Sequence, residues 1–345
     1  MGRNHYFRFS NINTIVKDYK NIGDYLLQFS VLNTISSLSG HPLRDRKIGK
    51  KFRGELLREI RKTLEWDQKN IDQGLYPSKI KKYKSLKNKT IGFFNILLDY
   101  PAVIKNRKTN KTVIAEKKDE EFPNYFKRNF HFQTDGYLSK NSASLYDQQV
   151  DILFSGLADN MRRCFLPFLT EYFKNTQKNL SILEMAAGTG AGTEQLITLF
   201  PDAEITLNDL SPYYLEISKE KFRNYNFNYL TGEAHHLSNL QPESFDLSFH
   251  IFLFHEIPRE VRKKVLQEQI RLAKKDGLIV IVDSLQISDR PEWKEILEDF
   301  PKKYHEPFYK DYINQDLDSL LEELNLEVLH KEKVLLTKCI ITKKK

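Results

Sequence analysis

The sequence predicts an α/β protein, a doubly wound and mostly parallel sheet preceded by a mainly helical N-terminal domain. Three observations predict it. After residue 180, short apolar and β-branched runs alternate with helical patterns at the spacing of strand–helix–strand units. The first of those runs leads straight into a glycine-rich turn, Ala187-Gly188-Thr189-Gly190-Ala191-Gly192. The first 120 residues carry apolar stripes at helical spacing and no such alternation.

Taken in order, Ile22, Tyr25, Leu26, Phe29, Leu32 and Ile35 give residues 19–38 one helical face. Phe52, Leu56, Leu57, Ile60 and Leu64 do the same for residues 51–66. A third helix over 90–100 stops at Pro101, which cannot continue it. The polar, charged stretch 105–121 reads as a connection. From Phe122 the texture turns aromatic, with an ordered loop expected through Asp135-Gly136. Ser142 is expected to cap a helix reaching about Gly156, and another helix to run over 158–173. Strands then follow at 181–186, 204–208, 227–231, 245–252 and 277–284, with helices at 193–200, 212–224, 258–274 and 316–324. Two last strands, 326–330 and 334–342, have no helix between them. They therefore form a hairpin, and the final strand enters the sheet antiparallel. The implied division is 1–120 helical, 121–175 helix and loop, and 176–345 the sheet domain.

Composition narrows the function classes. The chain has 345 residues, 40% of them hydrophobic, enough for a sizeable core and against a disordered tail. Two cysteines exclude a disulfide framework and a thiolate-built zinc site. No stretch approaches the roughly 18 apolar residues of a membrane-spanning helix, and the first residues have no leader-like apolar run. A cytoplasmic location is the simplest expectation. The formal charge is +8, but residues 1–120 hold 26 basic and 12 acidic side chains, the remainder 28 and 34. The basic half reads as a solvated helical surface or as a docking face for nucleic acid.

The chemistry concentrates around the glycine turn. Gly188 and Gly190 permit a tight turn and a close approach of ligand to backbone, at the N-terminus of a following helix. The second strand, Glu-Ile-Thr-Leu-Asn-Asp, ends in Asp209, about 20 residues beyond, where a carboxylate can accept both hydrogens of a ribose diol. A dinucleotide fingerprint requires a third glycine at position 193, which is Thr. Glu184, Ala186, Gly188 and Gly190 fit a different pattern, an acid followed by small-x-Gly-x-Gly.

With these residues the sequence resembles the class I S-adenosylmethionine-dependent methyltransferases. Leu-Glu-Met-Ala-Ala-Gly-Thr-Gly-Ala-Gly-Thr is similar to their first motif, with Ala186 where Gly is more usual. Asn-Asp-Leu-Ser, Gly-Glu-Ala-His-His-Leu, the 245–258 segment and the 271–284 segment resemble later motifs in the right order. The resemblance covers about residues 180–345 and is nearest to the small-molecule branch of ubiquinone and menaquinone methyltransferases. It implies a seven-stranded Rossmann-like sheet and S-adenosyl-L-methionine as cofactor.

It also implies roles. Glu184 orients the glycine loop and the methionine end, Gly188 and Gly190 line the cofactor with their backbone, and Asp209 holds the ribose. Leu210 flanks the adenine, Glu233 and Ala234 approach its amino group, and His250 faces cofactor or acceptor. Among catalytic candidates His255 is the first choice as general base, because histidine titrates near neutrality, with His250 and Tyr137 beside it. Tyr137 and Tyr146 are expected to close over the cofactor, and one of Arg162 and Arg163 to pair with its carboxylate, Arg162 being preferred. No metal is expected. The acceptor is expected to be a small molecule, with the N-terminal helices as lid or dimer surface. The alternatives are an RNA or protein methyltransferase that docks substrate on the basic half, and a non-catalytic cofactor-binding protein. An absent Asn/Asp-Pro-Pro-aromatic signature, an absent Pro-Cys nucleophile and no RNP-like module weigh against the nucleic-acid reading.

Overall fold

The computed structural model describes residues 46–77, 105, 122–128, 130, 135–154, 156–176 and 179–345. The helices expected over 19–38 and 90–100, and the connection over 105–121 except Lys105, lie outside the described residues.

Seven strands form one sheet: β1 (Ser181–Met185), β2 (Glu204–Asp209), β3 (Asn228–Thr231), β4 (Phe245–Ile251), β5 (Ala273–Ser284), β6 (Leu326–Val334) and β7 (Thr337–Lys344). Their order is β3-β2-β1-β4-β5-β7-β6. Neighbours among β1 to β5 pair in parallel. β7 runs antiparallel to both β5 and β6, as expected, because the two residues joining β6 to β7 only reverse the chain. β1 feeds β2 on one side while β4 lies on its other side. The direction of winding therefore switches between β1 and β4, and a crevice opens beyond their carboxyl ends.

Strand alternation divides the core. Ile279 and Ile281 of β5 face one layer with Phe254, Val265, Leu266 and Trp293, while Leu278, Val280 and Val282 face the other with Phe165, Leu169, Leu196 and Leu215. Both faces of β5 are covered from Leu278 to Val282, which is why that part of its sequence is one unbroken apolar run.

The helices are α1 (Arg46–Asp72), α2 (Lys140–Leu153), α3 (Ala158–Arg162), α4 (Leu166–Tyr172), α5 (Thr193–Leu196), α6 (Pro212–Lys221), α7 (Arg259–Leu272), α8 (Lys294–Tyr304), α9 (Tyr309–Tyr312) and α10 (Leu317–Glu323). Several differ from expectation. The single helix expected over 158–173 is two, because Pro167 has no N–H to continue a ladder and fits only a first turn. Helix α2 starts three residues early, and Ser139 rather than Ser142 is the cap: its hydroxyl accepts the Ser142 N–H at 3.1 Å. β5 starts at Ala273, so Gly277 is not a helix stop. It lies beside the register shift in β4, where a Cβ would sit 2.7 Å from the Phe245 carbonyl oxygen.

Helix α1 is fastened to the sheet domain by charge. Asp67 accepts two bonds from the Arg163 guanidinium, at 3.0 and 2.7 Å, and a third from the Tyr76 hydroxyl at 2.7 Å. Further along, Glu59 pairs with Arg290 at 2.9 Å. Among the described residues no helix is long and apolar enough to cross a membrane.

Candidate active site

The crevice at the switch point is a cleft enclosing about 1000 Å³, part of it open to solvent. Its floor is the loop after β1. Ala186, Gly188 and Gly190 all adopt positive φ, at 51°, 56° and 75°, and the Ala187 N–H donates to the Asn208 carbonyl at 2.8 Å. The chain thus turns sharply between β1 and α5. Ala186 occupies the left-handed region that favours glycine, so the departure from the usual motif residue carries strain.

Two buried carboxylates stand at this floor. Glu184 Oε2 accepts the Thr193 N–H at 2.9 Å and the Thr193 hydroxyl at 2.5 Å. Burial raises its carboxyl to about 7, with the Thr193 bonds, Lys221 and Arg162 opposing. Gly192 makes room for it, since a Cβ there would collide with Glu184 Oε1. Asp209 Oδ2 accepts the Gly188 N–H and Oδ1 the Ser211 N–H, each at 2.7 Å. Burial raises Asp209 to about 6 against those backbone bonds. Each oxygen keeps a second lone pair for a ligand donor.

The roof comes from Tyr125, Phe126, Phe130, Tyr137 and Tyr146, with Tyr214 of α6. Tyr137, Tyr146 and Tyr214 pack edge-on, with ring centroids 5.3 to 6.2 Å apart. The Tyr214 hydroxyl is buried in this cluster with no hydrogen-bond partner, although its residue lines the cleft. Tyr125 donates to Glu233 Oε2 at 2.7 Å. The Thr189 hydroxyl donates to Asp147 Oδ1 at 2.5 Å, and Lys221 pairs with Asp147 at 3.0 Å, so α2 is tied to the glycine loop.

Beyond β4 lies a second group. His255 Nδ1 is 2.6 Å from Asp283 Oδ1, and Asp283 also accepts the N–H groups of Phe254 at 2.7 Å and Ser284 at 2.6 Å. Burial disfavours the imidazolium, but Asp283, with Glu256 and Glu306 behind it, outweighs burial and raises His255 to about 9. Glu256 Oε1 accepts the Tyr137 hydroxyl at 2.7 Å and lies 3.9 Å from His255 Nε2. Burial raises both Glu256 and Glu306. His255 lines a second pocket enclosing about 700 Å³, part of it open to solvent, whose wall shares Tyr146, Phe252 and Glu256 with the first.

Glu184, Ala186, Gly188, Asp209, Leu210, Glu233, Ala234, Tyr137, Tyr146 and Arg162 all line the cleft. Arg162 is buried and pairs with Asp159 at 3.0 Å, whereas Arg163 is committed to Asp67. Two of the expected residues are not among those lining the cleft. The Cβ side of Gly190 faces the packed side of the loop, where an added Cβ would collide with the Phe222 ring and meet Ser218 Oγ at 2.8 Å. His250 lines neither cavity. Side chains alternate along β4, so Ile251 takes the cleft side and His250 turns under Phe254, ring centroids 4.3 Å apart, where burial lowers it to about 4. The donor atoms of His255, Glu256 and Glu306 lie within 4.8 Å of one another. Sequence reading missed Asp283, Glu306, Tyr214 and Gly192. Asp283 had a signal, an acid at the end of an apolar strand; Glu306, in a loop between helices, had none.

An acid-anchored glycine turn at the switch point of a β3-β2-β1-β4-β5-β7-β6 sheet defines a nucleoside-binding class. Residues 182–277 match the family model described as a methyltransferase domain. The C-terminal part of the chain is a class I S-adenosylmethionine-dependent methyltransferase domain. The chain is 32% identical over 143 residues to a demethylmenaquinone methyltransferase of Thermotoga maritima, covering 41% of this chain and 58% of that protein. It is 31% identical over 93 residues to a malonyl-[acyl-carrier protein] O-methyltransferase of Ilyobacter polytropus, covering 26% and 34%. The chain thus spans between one third and three fifths of these two relatives. A crystal structure of the CurJ carbon methyltransferase aligns with a TM-score of 0.47 at 15% identity, over 76% of this chain and 72% of that one.

Proposed function

We propose that this protein transfers a methyl group from S-adenosylmethionine to a small-molecule acceptor. The observation that carries the reading is the pair of buried carboxylates, Glu184 and Asp209, at the floor of one cleft at the switch point. The donor set suits this cofactor. Asp209 receives the ribose diol, with Leu210 and Ala234 against the adenine and Glu233 near its amino group. Glu184 faces the ammonium end and Arg162 the carboxylate. When bound, the cofactor supplies an electrophilic methyl on a sulfonium. The residues then mainly align and exclude water, since in-line displacement rewards positioning. The aromatic roof, Tyr137 and Tyr146 included, does both.

His255 is assigned as the group that receives the acceptor's proton on Nε2, with Asp283 orienting its ring through Nδ1. Because Asp283 holds the ring as imidazolium up to about pH 9, only its neutral form acts as the base, and turnover is expected to rise with pH towards 9. Tyr137 positions Glu256, the carboxyl group between the two cavities. A small acceptor is supported by the second, largely apolar pocket and by the relatives named for demethylmenaquinone and malonyl-[acyl-carrier protein]. Residues 121–175 are assigned as the cover of the site. Two free buried thiols, Cys164 and Cys339, suit a reducing, cytoplasmic setting. Calorimetry on the full chain tests the central claim: S-adenosylhomocysteine binds, NAD does not, and Asp209→Ala weakens binding at least tenfold. Binding of NAD without the nucleoside sulfide would sink it. Salt-dependent retention of RNA would instead favour the docking role of the basic half.

A further inference from the structure

The lining of the second pocket extends well beyond the His255–Glu256 pair. Val150, Leu153 and Phe154 come from α2 and its end, Ile296, Leu297 and Phe300 from α8, and Leu336 from the β6–β7 turn. These residues make a hydrocarbon wall. The polar lining groups form one contiguous patch. Ser284 Oγ and the Tyr309 hydroxyl are 2.7 Å apart, the Tyr309 ring packs against His255 at 5.7 Å, and His255 adjoins Glu256. Thr337, paired in register with Ser284, has a buried Oγ1 with no hydrogen-bond partner. Among the described residues lining this cavity there is no Lys or Arg, and its one cationic group, His255, sits beside Glu256, so nothing at the far end compensates a phosphate or a carboxylate of a ligand. Only the patch beside Glu256 suits a polar group, and Glu256 is where the cofactor cleft begins.

We propose that this cavity holds the uncharged apolar tail of the methyl acceptor, and that the acceptor is an amphiphile: a hydrocarbon chain or ring system ending in one weakly acidic O–H or C–H group placed between His255 and Glu256. The proposal rests on the methyltransferase reading and adds the substrate class to it. Each methylene that enters such a wall contributes a roughly constant increment of transfer free energy, which is a threefold to fourfold gain in affinity per carbon.

The test uses 4-alkylphenols, from ethyl to octyl, as probes titrated into the full chain with and without saturating S-adenosylhomocysteine. Affinity is expected to rise about threefold per added carbon and then level off when the cavity is full. Phe300→Ala, which lengthens the cavity, is expected to move the plateau to longer chains. Ile296→Trp is expected to move it to shorter ones. Neither change alters affinity for S-adenosylhomocysteine. A gain at longer chain length cannot come from misfolding, so Phe300→Ala keeps the test decisive if Ile296→Trp is unstable. A flat series, or a plateau indifferent to both substitutions, overturns the tail site when S-adenosylhomocysteine still binds. Failure of the wild-type chain to bind S-adenosylhomocysteine overturns the methyltransferase reading itself.

Discussion

Asp283 decides the chemistry of His255. Its carboxylate is fully buried, accepts two backbone N–H groups and faces His255 Nδ1, so it stays ionised and favours the imidazolium. Asp283→Asn removes that charge while the burial remains. The His255 imidazole, followed by nitrogen-15 NMR, is then expected to fall from about 9 to below its ordinary 6.5; a value still near 9 would show another group responsible. Gly190 is the other residue with a sharp consequence. It has φ +75° and the Phe222 ring pressed against it, so Gly190→Ala adds both backbone strain and overpacking. Urea unfolding is expected to register a loss of about 1–3 kcal/mol.

At the scale of elements, α1 is the informative case. Its stripe was legible in part: Leu56, Ile60 and Leu64 pack beside Leu157 and Met161, whereas Leu57, placed on the same stripe, is 60% exposed. What fastens it was not, because Arg163 reaches Asp67 across 96 residues. Breaking a largely buried pair leaves one ion without a partner, which costs roughly 3–5 kcal/mol. Side-chain exposures of 10% and 12% place this pair near that limit. Asp67→Ala is therefore expected to lower the urea midpoint strongly and to make α1 sensitive to limited proteolysis. Arg61→Ala removes an ion pair that is 81% and 61% exposed and is expected to change neither. Equal effects of the two substitutions would contradict the clamp.

For the whole molecule, the buried acids and His255 set a pH dependence. The folded chain keeps protons on Asp209 to about 6 and on Glu184 to about 7, while unfolded carboxyls release theirs near pH 4. His255 holds its proton to about 9, against about 6.5 when unfolded. The native state thus binds more protons, and stability falls as pH rises through these values. His250, lowered to about 4, works the other way, but only below about 6.5. From pH 6.5 to 8.5 the sign is set mainly by His255. Calorimetry on the ligand-free protein is expected to show Tm decreasing across that window, and His255→Asn to flatten most of the decrease. A rising Tm would contradict the assignment of His255 as the raised group.

The sequence by itself determined the alternation of elements, the antiparallel last strand, the glycine turn and the acids Glu184 and Asp209. All of these are local: strand and helix periods, a short reversal, and a motif spanning one strand–turn–helix unit. Only the tertiary structure decided what crosses between units. It turned His250 inward because a strand's parity, not its proximity to the motif, selects the side facing the cleft. It packed the Cβ side of Gly190 against Phe222 and Ser218, brought Asp283 to His255 from the neighbouring strand, and carried Glu306 from a distant loop into the same buried group. The cofactor side was legible because one stretch of chain builds most of it. The acceptor side was not, because its wall is assembled from α2, β4, α8 and the last hairpin, and no local pattern encodes their meeting.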